Sequence, residues 1–339
     1  MRIDGTGDPR SGRGAAIIAL GAASVGVILA ACLIGPAGLS LGDSFAALAG
    51  GGPEAAGVIV REIRLPRALA AWLAGAALGA SGAALQGLLR NPLADPGVLG
   101  VSSAAALGAV IAIYFNLSAD APWATPLASI AFALLATAAL QILGAGRVST
   151  TRLILVGVGL SAFSGALITL VMNLAPNPFV LTDLVNWLFG AVANRSFDDL
   201  ALTAPFMAAG LALLLISRGG LAALTLGEET AFSLGADIAR IRTIVITGTA
   251  LMAGASVALA GAIGFIGVVA PHLARPFAAH DPGRTIVPAA LIGGAMLAAA
   301  DLMIRLLPFD YELRLGVAAA LIGAPGFVWI AARTQRLAQ

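Results

Sequence analysis

The stretch 243-TIVITGTALMAGASVALAGAIGFIGVVAPHL-273 decides how this chain is folded. None of its residues carries a formal charge, and as one α-helix it would be about 46 Å long. The hydrocarbon core of a bilayer is about 30 Å thick, so the stretch is too long for one crossing and short for two. Gly261 and Gly264 are the expected points of reversal, because glycine adopts backbone conformations that other residues avoid.

The rest of the sequence places this stretch in a membrane protein. Of 339 residues, 59% are hydrophobic and only 11% are charged, and the mean hydropathy is +0.97. A soluble domain needs roughly a quarter charged residues to cover its surface, which excludes a soluble fold. The sequence predicts an all-α polytopic bundle with transmembrane spans near 15–35, 66–86, 97–115, 124–144, 153–174, 200–217, 286–306 and 315–332, and two more within 243–273.

The arginines predict the orientation. All 19 basic residues are Arg, and cytoplasmic loops collect such residues. More of them fall on the cytoplasmic side if 243–273 doubles back than if it crosses once. Ten helices with both termini in the cytoplasm result, with an N-terminal tail 1–14, a single ten-helix domain 15–333 and a C-terminal tail 334–339. The apolar run after Arg13 is interpreted as the first span and not as a cleaved signal.

Three arginines, Arg61, Arg64 and Arg67, precede the second span on the predicted external side. They are either snorkelling side chains at the interface or a docking patch for an acidic partner, since guanidinium groups bind carboxylates in a fork geometry. Arg305 favours docking, because it lies at the external end of the ninth span.

Asp301 is the acid placed deepest in the apolar runs. An intramembrane acid is a candidate for function, here an ion-coupling site. The alternative is a structural ion pair with Arg305, one helical turn away.

The segment Asn91-Pro92-Leu-Ala-Asp95-Pro96-Gly follows the second span. Each Xaa-Pro step disfavours helix at the preceding residue, and Asn and Asp side chains satisfy nearby backbone donors. A fixed cytoplasmic hairpin is predicted.

The hydroxyl run Ser149, Thr150 and Thr151 precedes the fifth span on the cytoplasmic side. It is either a helix N-cap or a gate that meets its counterpart in a second subunit.

The longest cytoplasmic loop, 224–240, reads as two short helices. Glu228 and Glu229 fall in the first turn of one, Gly235 ends it, and Asp237 begins the next, with Arg240 near its end. Such short helices require a partner surface.

The sequence gives no signal for metal binding, an intrachain disulfide, nucleic-acid binding or ATP hydrolysis. His272 and His280 have no Cys or Glu at a metal-ligand spacing, and the single Cys32 cannot form an intrachain disulfide. A net charge of +2 gives no nucleic-acid surface. The chain has no lysine and no G-x-x-x-x-G-K-[ST], so it cannot itself be an ATPase of the P-loop class.

Several of these segments resemble the FecCD-type permeases, the membrane subunits of type II ATP-binding cassette (ABC) importers for ferric siderophores, haem and cobalamin. The resemblance runs from about residue 60 to 333 and rests on RLPR at 64–67, Gln86 with RNPLADPGVLGVSS at 90–103, LGE at 226–228, ALAGAIGFIGVVAPHLAR at 258–275, ADLMIR at 300–305 and IGAP at 322–325.

The resemblance implies a homodimer in the bacterial inner membrane that works by alternating access. Its partners would be two cytoplasmic ATPase subunits, which bind ATP and Mg, and one periplasmic binding protein. No cofactor is expected on this chain. A ferric siderophore is the expected cargo, with haem and cobalamin as alternatives. A proton- or sodium-coupled secondary transporter using Asp301 is the rival interpretation, and a purely structural membrane scaffold is a third.

The resemblance also assigns roles to residues. Arg64, Arg67 and Arg305 would dock the binding protein, and Ser149, Thr150 and Thr151 would form the cytoplasmic gate. Arg314 departs from the family, which has proline there. The ATPase coupling residues would be Leu226, Gly227, Glu228, Glu229, Leu234 and Gly235, and the structural motif residues Asn91, Pro92, Asp95, Pro96, Pro271, His272 and Asp301.

Overall fold

A computed structural model describes residues 9–143, 150–308 and 313–336, and every regular element within these ranges is helical. A π-helical turn, Val58–Arg64, joins α3 to α4, and a 3₁₀ turn, Arg275–Ala278, follows α13. The α-helices are α1 (Pro9–Leu33), α2 (Leu41–Leu48), α3 (Glu54–Gly57), α4 (Leu65–Leu89), α5 (Val101–Tyr114), α6 (Ala124–Leu143), α7 (Thr150–Asn173), α8 (Pro178–Leu188), α9 (Phe197–Ile216), α10 (Arg218–Leu224), α11 (Glu228–Ser233), α12 (Ile238–Ala260), α13 (Ile266–Ala274), α14 (Pro282–Leu306) and α15 (Leu315–Arg336).

Seven helical runs in the described part of the chain are long and apolar enough to cross a membrane. They are α1, the continuous run Glu54–Leu89, α6, α7, α9, α12 and α14, and two shorter apolar helices are α5 and the Leu315–Val328 part of α15. This confirms an all-helical membrane protein. The nine residues of α13 span about 13 Å, which is less than half of the hydrocarbon thickness.

The core of the bundle is α4, whose apolar window is 83% buried. It packs antiparallel to α14 at very short range, because Gly75 lies against the backbone of Gly293 and Gly79 against that of Ala289. A Cβ atom on either α4 glycine would overlap the opposing carbonyl group. Small residues of this kind allow helix backbones to approach closely where no hydrophobic drive exists between apolar surfaces.

The chain reverses direction within the stretch that decides the fold. Helix α12 ends at Gly261, whose φ of 76° is in the left-handed region, and α13 then returns toward the end at which α12 begins. Ile241 at the start of α12 lies against Gly220, and Arg275 just after α13 bonds to Gln86 near the end of α4. The predicted reversal at Gly261 is therefore confirmed. The second unusual φ, 69°, falls on Phe265 and not on Gly264, which corrects that prediction.

These contacts define two ends of the bundle. The Arg90 end contains the end of α4, α10, and the starts of α12 and α14, since Gly87 contacts Leu221 and Pro282. The Asp301 end contains the starts of α4 and α15 and the turn after α12, since Arg67, Asp301 and Leu315 line one small cavity and Gly316 lies against Ala262. The arginines assigned to docking lie at the Asp301 end, and the hairpin and loop 224–240 lie at the other.

Two predicted boundaries are wrong. The second span was predicted over 66–86, whereas helical structure runs from Glu54 to Leu89. Charged side chains at 61, 62 and 64 end the apolar run without ending the helix. In loop 224–240 the second predicted short helix is the start of the long α12: Asp237 caps it by accepting the N–H of Arg240 at 3.0 Å, and no breaker follows before Gly261.

Candidate functional site

Asp301 is held by two arginines from different helices at the Asp301 end. Arg67 on α4 donates from Nη2 to Oδ1 at 2.7 Å and from Nε to Oδ2 at 3.0 Å, which is a bidentate pair. Arg305, one turn along α14, brings Nε to 3.2 Å from Oδ2. The exposed fraction of the Asp301 side chain is 2%. The ion pair predicted between Asp301 and Arg305 is confirmed, and Arg67 is an additional partner.

Arg64 and Arg305 also bond to the C-terminal turn of α1. Arg64 Nη1 donates to the carbonyl oxygens of Cys32 and Leu33 at 3.1 and 3.2 Å, and Arg305 Nη2 donates to that of Ala31 at 3.2 Å. The last carbonyl groups of a helix have no partner within the helix and carry partial negative charge, so cations stabilise them. Arg64 is 4% exposed, because the π-helical turn directs it inward toward α1.

The three arginines assigned to docking are thus brought together around Asp301 and α1. The exposed fractions of the Arg67 and Arg305 side chains are only 13% and 5%. Arg61, by contrast, lies exposed in the π-helical turn. Docking on these side chains stays a prediction, and contact of Arg64 with a partner carboxylate requires its release from α1.

A cavity of about 210 Å³ lies beside this cluster, and sequence reasoning did not identify it. Its lining includes Trp187 from α8, Arg195, Arg314 and Gly261. Burial lowers the pKa of Arg195, and Asp199 at 3.9 Å raises it. The sequence marked Arg314 only as a departure from the family. It lines the same cavity as Arg195 because the start of α15 packs against Phe189 and Gly190.

At the Arg90 end the hairpin is fixed by its own side chains, as predicted. Asn91 Oδ1 accepts the N–H of Leu93 at 3.0 Å, and Asp95 Oδ1 accepts the N–H of Gly97 at 2.7 Å. Burial raises the pKa of Asp95, and the bond from Gly97 lowers it. Ser161 on α7 donates to the carbonyl oxygen of Gly97 at 2.8 Å, which ties the hairpin to α7. Pro92 and Pro96 lie within this hairpin.

Gln86 connects the hairpin to the reversal. Its Nε2 lies 3.4 to 3.5 Å from the carbonyl oxygens of Ala94, Gly267 and Val268, and its Oε1 accepts a bond of 2.7 Å from Arg275. Sequence reasoning quoted Gln86 and Arg275 only as motif members. A polar side chain in the last turn of an otherwise apolar helix was the available signal. Pro271 lies within α13, and His272 follows it, half-buried.

Thr150, one of the residues predicted to form the gate, contacts loop 224–240. Thr150 Oγ1 lies 3.5 Å from Glu228 Oε1, and Arg242 on α12 lies 3.7 Å from the same oxygen. Thr151 is exposed beside them, and a cavity of about 570 Å³ is lined by both threonines and by Leu226, Gly227 and Glu229. Ser149 lies outside the described residues. Glu228 therefore joins the start of α7 to α11 and α12.

Loop 224–240 exposes apolar side chains. Leu226, Phe232 and Leu234 are 60, 71 and 68% exposed, whereas Ala231 is fully buried. Glu228 and Glu229 occupy the first turn of α11, and Gly235 follows its end with a φ of 85°, as predicted. An apolar patch at a polar end of the bundle is typical of a protein interface.

No group of three His, Cys, Asp or Glu side chains that could hold a metal ion lies within the ranges that the structure describes. His280, at the Arg90 end, is exposed.

The motifs of both ends occur together in one known family. Residues 23–333 match the FecCD transport family, which is nearly the whole chain. The chain belongs to this family. The matched range includes the clustered arginines at the Asp301 end and the hairpin and loop 224–240 at the Arg90 end.

Individual FecCD proteins extend the comparison. The chain is 43% identical to the vitamin B12 import system permease protein BtuC of Vibrio cholerae, over 81% of this chain and 83% of that protein. It is 38% identical to the uncharacterized ABC transporter permease protein YvrB of Bacillus subtilis, over 82% of this chain and 80% of that protein. A solved ABC transporter described as of the metal-chelate type, in an inward-facing conformation, superposes with a TM-score of 0.82 at 29% identity, covering 94% of this chain and 99% of that one.

Proposed function

We propose that the chain is the permease subunit of an ABC importer that takes up cobalamin. The observation that carries this proposal is the 43% identity to the vitamin B12 permease of Vibrio cholerae over most of both chains. A second vitamin B12 permease, from Klebsiella pneumoniae, is 38% identical over 82% of this chain. This choice of cargo replaces the ferric siderophore expected from the sequence. ATP hydrolysis belongs to a separate subunit that binds ATP and Mg.

Ferric siderophore remains the second candidate cargo. It is favoured by the likeness to the transporter described as of the metal-chelate type. Both cargoes are large and polar and arrive on a binding protein, so the same permease mechanism serves either.

We infer ten crossings with both termini in the cytoplasm. The seven long runs and the shorter helices α5 and α15 make nine crossings. The tenth is the return from Gly261 through the short helix α13. The Arg90 end is the cytoplasmic one, because Arg90, Arg218, Arg240, Arg275 and Arg284 gather there. The Asp301 end then faces the periplasm. A bacterial inner membrane is the matching location.

The working unit is a homodimer that alternates access. Helix α7 supports this, since only 11% of its apolar window is buried within one chain. Its exposed face includes Val158, Gly159 and Ala162, and a second copy would cover such small residues well. The gate residues Thr150 and Thr151 begin this helix and would meet their counterparts across the dimer axis.

Energy from ATP enters through loop 224–240. The ATPase subunits seat on the exposed Leu226, Phe232 and Leu234, and Glu228 relays movement of α11 to Thr150. The binding protein seats at the opposite end, where Arg64, Arg67 and Arg305 cluster. An Asp301-coupled secondary transporter is less well supported, because two arginines hold that carboxylate. An ion-coupling acid must exchange its ion during transport.

Reconstitution tests the proposal. Proteoliposomes containing the chain and its ATPase, with cobalamin-loaded binding protein outside, should accumulate labelled cobalamin only when ATP is enclosed. The chain alone should hydrolyse no ATP. Competition by ferric siderophores, but not by cobalamin analogues, would transfer the assignment to the second cargo. Uptake driven by a proton or sodium gradient without ATP would overturn the ABC mechanism.

A matched set of variants tests the docking arginines. Affinity for the binding protein should fall about tenfold or more in Arg64→Gln and Arg305→Gln and change little in Arg61→Gln. Glutamine retains hydrogen-bond donors for α1, and thermal unfolding of each variant separates docking from loss of structure. If Arg64→Gln and Arg305→Gln bind the binding protein as tightly as Arg61→Gln does, docking on these side chains is contradicted.

A further inference from the structure

A second polar cavity lies at the Arg90 end, distinct from the one beside the gate. Its volume is about 400 Å³, and it is open to the surface of the described chain. Its polar lining consists of Gln86, Arg90, Asn91, Thr225, Arg275, His280 and Thr285. Four separate parts of the chain form its walls: the end of α4, the hairpin, the end of α10 and the segment from the 3₁₀ turn to the start of α14.

The cavity is electropositive. Two guanidinium groups and one imidazole line it, and none of its lining residues is acidic. Asp281, next to the lining residue His280, is engaged elsewhere: it caps α14 through the N–H of Arg284 at 3.1 Å and pairs with the Arg284 side chain at 3.2 Å. The lining therefore offers donors and positive charge, for which a carboxylate is the complementary group.

The backbone position of Arg90 and the side-chain bond of Arg275 place both arginines at this cavity. Arg90 is the C-cap residue of α4 and has a φ of 46°, a left-handed conformation that is uncommon outside glycine. Arg275 donates to Gln86, which contacts the carbonyl groups of the hairpin and of α13. The two arginines therefore lie where α4, the hairpin and α13 meet. A ligand that binds both arginines would link the positions of α4, the hairpin and α13.

The occupant comes from the aqueous side and not from the lipid. The cavity opens at the end of α4, the central and most buried helix, and not on the outer face of the bundle. Arg90 also lines the cavity of about 570 Å³ that contains Thr150 and Glu228, so the two cavities meet at this side chain. The exposed Leu226, next to the lining residue Thr225, belongs to the apolar patch that we assign to the ATPase.

We propose that this cavity is a receptor site for an acidic side chain of the ATPase subunit, bound between Arg90 and Arg275. The site rests on the proposed function, which supplies the partner, and adds to it a second point of attachment besides loop 224–240. A carboxylate inserted here contacts the hairpin, which Ser161 ties to α7. Movement of the ATPase would then reach α7 from two sides, through Glu228 and through the hairpin.

The test uses the whole permease purified with its ATPase. Arg90→Glu and Arg275→Glu should each raise the Kd for the ATPase about tenfold or more, because each places a like charge against the partner carboxylate. The control is Arg284→Glu at the same end, whose side chain is 59% exposed and does not line the cavity. It should leave the Kd unchanged. Reversing the matching acid on the ATPase to Arg should restore binding to Arg90→Glu.

Further measurements make each outcome decisive. Affinity for the binding protein at the other end, and thermal unfolding, should be unchanged in Arg90→Glu, which separates this site from misfolding. If wild type binds no ATPase, the proposed function itself fails; if wild type and both variants bind equally, only this site fails. Tight binding of inorganic phosphate or ATP to the permease alone, lost in Arg90→Glu, would overturn the site in favour of a free anion. Binding of anionic vesicles lost in the same variant would overturn it in favour of lipid.

Discussion

Asp301 and Arg67 lie 234 positions apart in the sequence and form a bidentate ion pair, with Arg67 Nη2 2.7 Å from Asp301 Oδ1. The pair joins α14 to α4 at one end of the two helices whose glycines touch along their length. Arg305 completes it and also holds α1, so one carboxylate organises three helices. The Asp301 end of the protein is therefore built around a buried negative charge.

Removing this charge should destabilise the protein strongly. In Asp301→Ala, two largely buried guanidinium groups lose the carboxylate that both contact, and loss of one partner from a buried pair costs about 3–5 kcal/mol. The measurement is the free energy of unfolding in detergent. The control is Arg284→Ala, which removes an exposed pair at 3.2 Å and should cost less than about 1 kcal/mol. Equal losses in both variants would contradict a structural role for Asp301.

Asp301→Asn should leave the energy source of transport unchanged. The amide keeps one acceptor oxygen for the arginines, places an NH2 donor where the second oxygen was, and cannot bind or release a proton. If the chain is an ABC permease, uptake by this variant stays dependent on ATP and indifferent to an imposed proton or sodium gradient, even where its rate falls with stability. A selective loss of gradient-driven flux would support the rival secondary transporter.

The reversal after α12 was predictable because it follows from local chemistry. A charge-free stretch too long for one crossing must turn, and Gly261 tolerates the φ of 76° that the turn needs. The pairing of Asp301 with Arg305 was predictable for the same reason, since residues four apart share a helix face. The cap at Asp237 was also read correctly, although the helix that it begins is α12.

Other features depend on packing and left no local signal. Nothing in the sequence pairs Arg67 with Asp301, and nothing indicates that a π-helical turn directs Arg64 toward α1. Helices α2 and α8 have 8 and 11 residues, so a search for membrane-length apolar runs does not detect them. The cavity between Arg90 and Arg275 forms only because the reversal returns α13 to the end of α4.

The contact between α4 and α14 should be intolerant of added volume. Gly75→Ala places a methyl group against the backbone of Gly293, and neither backbone can move without separating the helices. We expect a loss of about 1–3 kcal/mol in the free energy of unfolding. The control is Gly26→Ala on α1, where nothing lies within 4 Å of the new Cβ atom. It should be neutral or stabilising by about 0.5–1 kcal/mol, because alanine is the better helix former.

The Asp95 carboxyl group should make stability depend on pH. Burial raises its pKa in the folded state, so folding favours the protonated form, and the stability from this form is lost as pH rises through the folded-state value. Asp95→Asn keeps an acceptor for the N–H of Gly97 and cannot ionise, so its melting temperature should fall less than that of wild type between pH about 4 and 8. Asp95→Ala also loses the acceptor and should be about 1–3 kcal/mol less stable than Asp95→Asn at every pH, because the N–H of Gly97 is left without its partner. Parallel melting curves for wild type and Asp95→Asn would show that the carboxylate titrates as it does in the unfolded chain, and that the hairpin tolerates its charge.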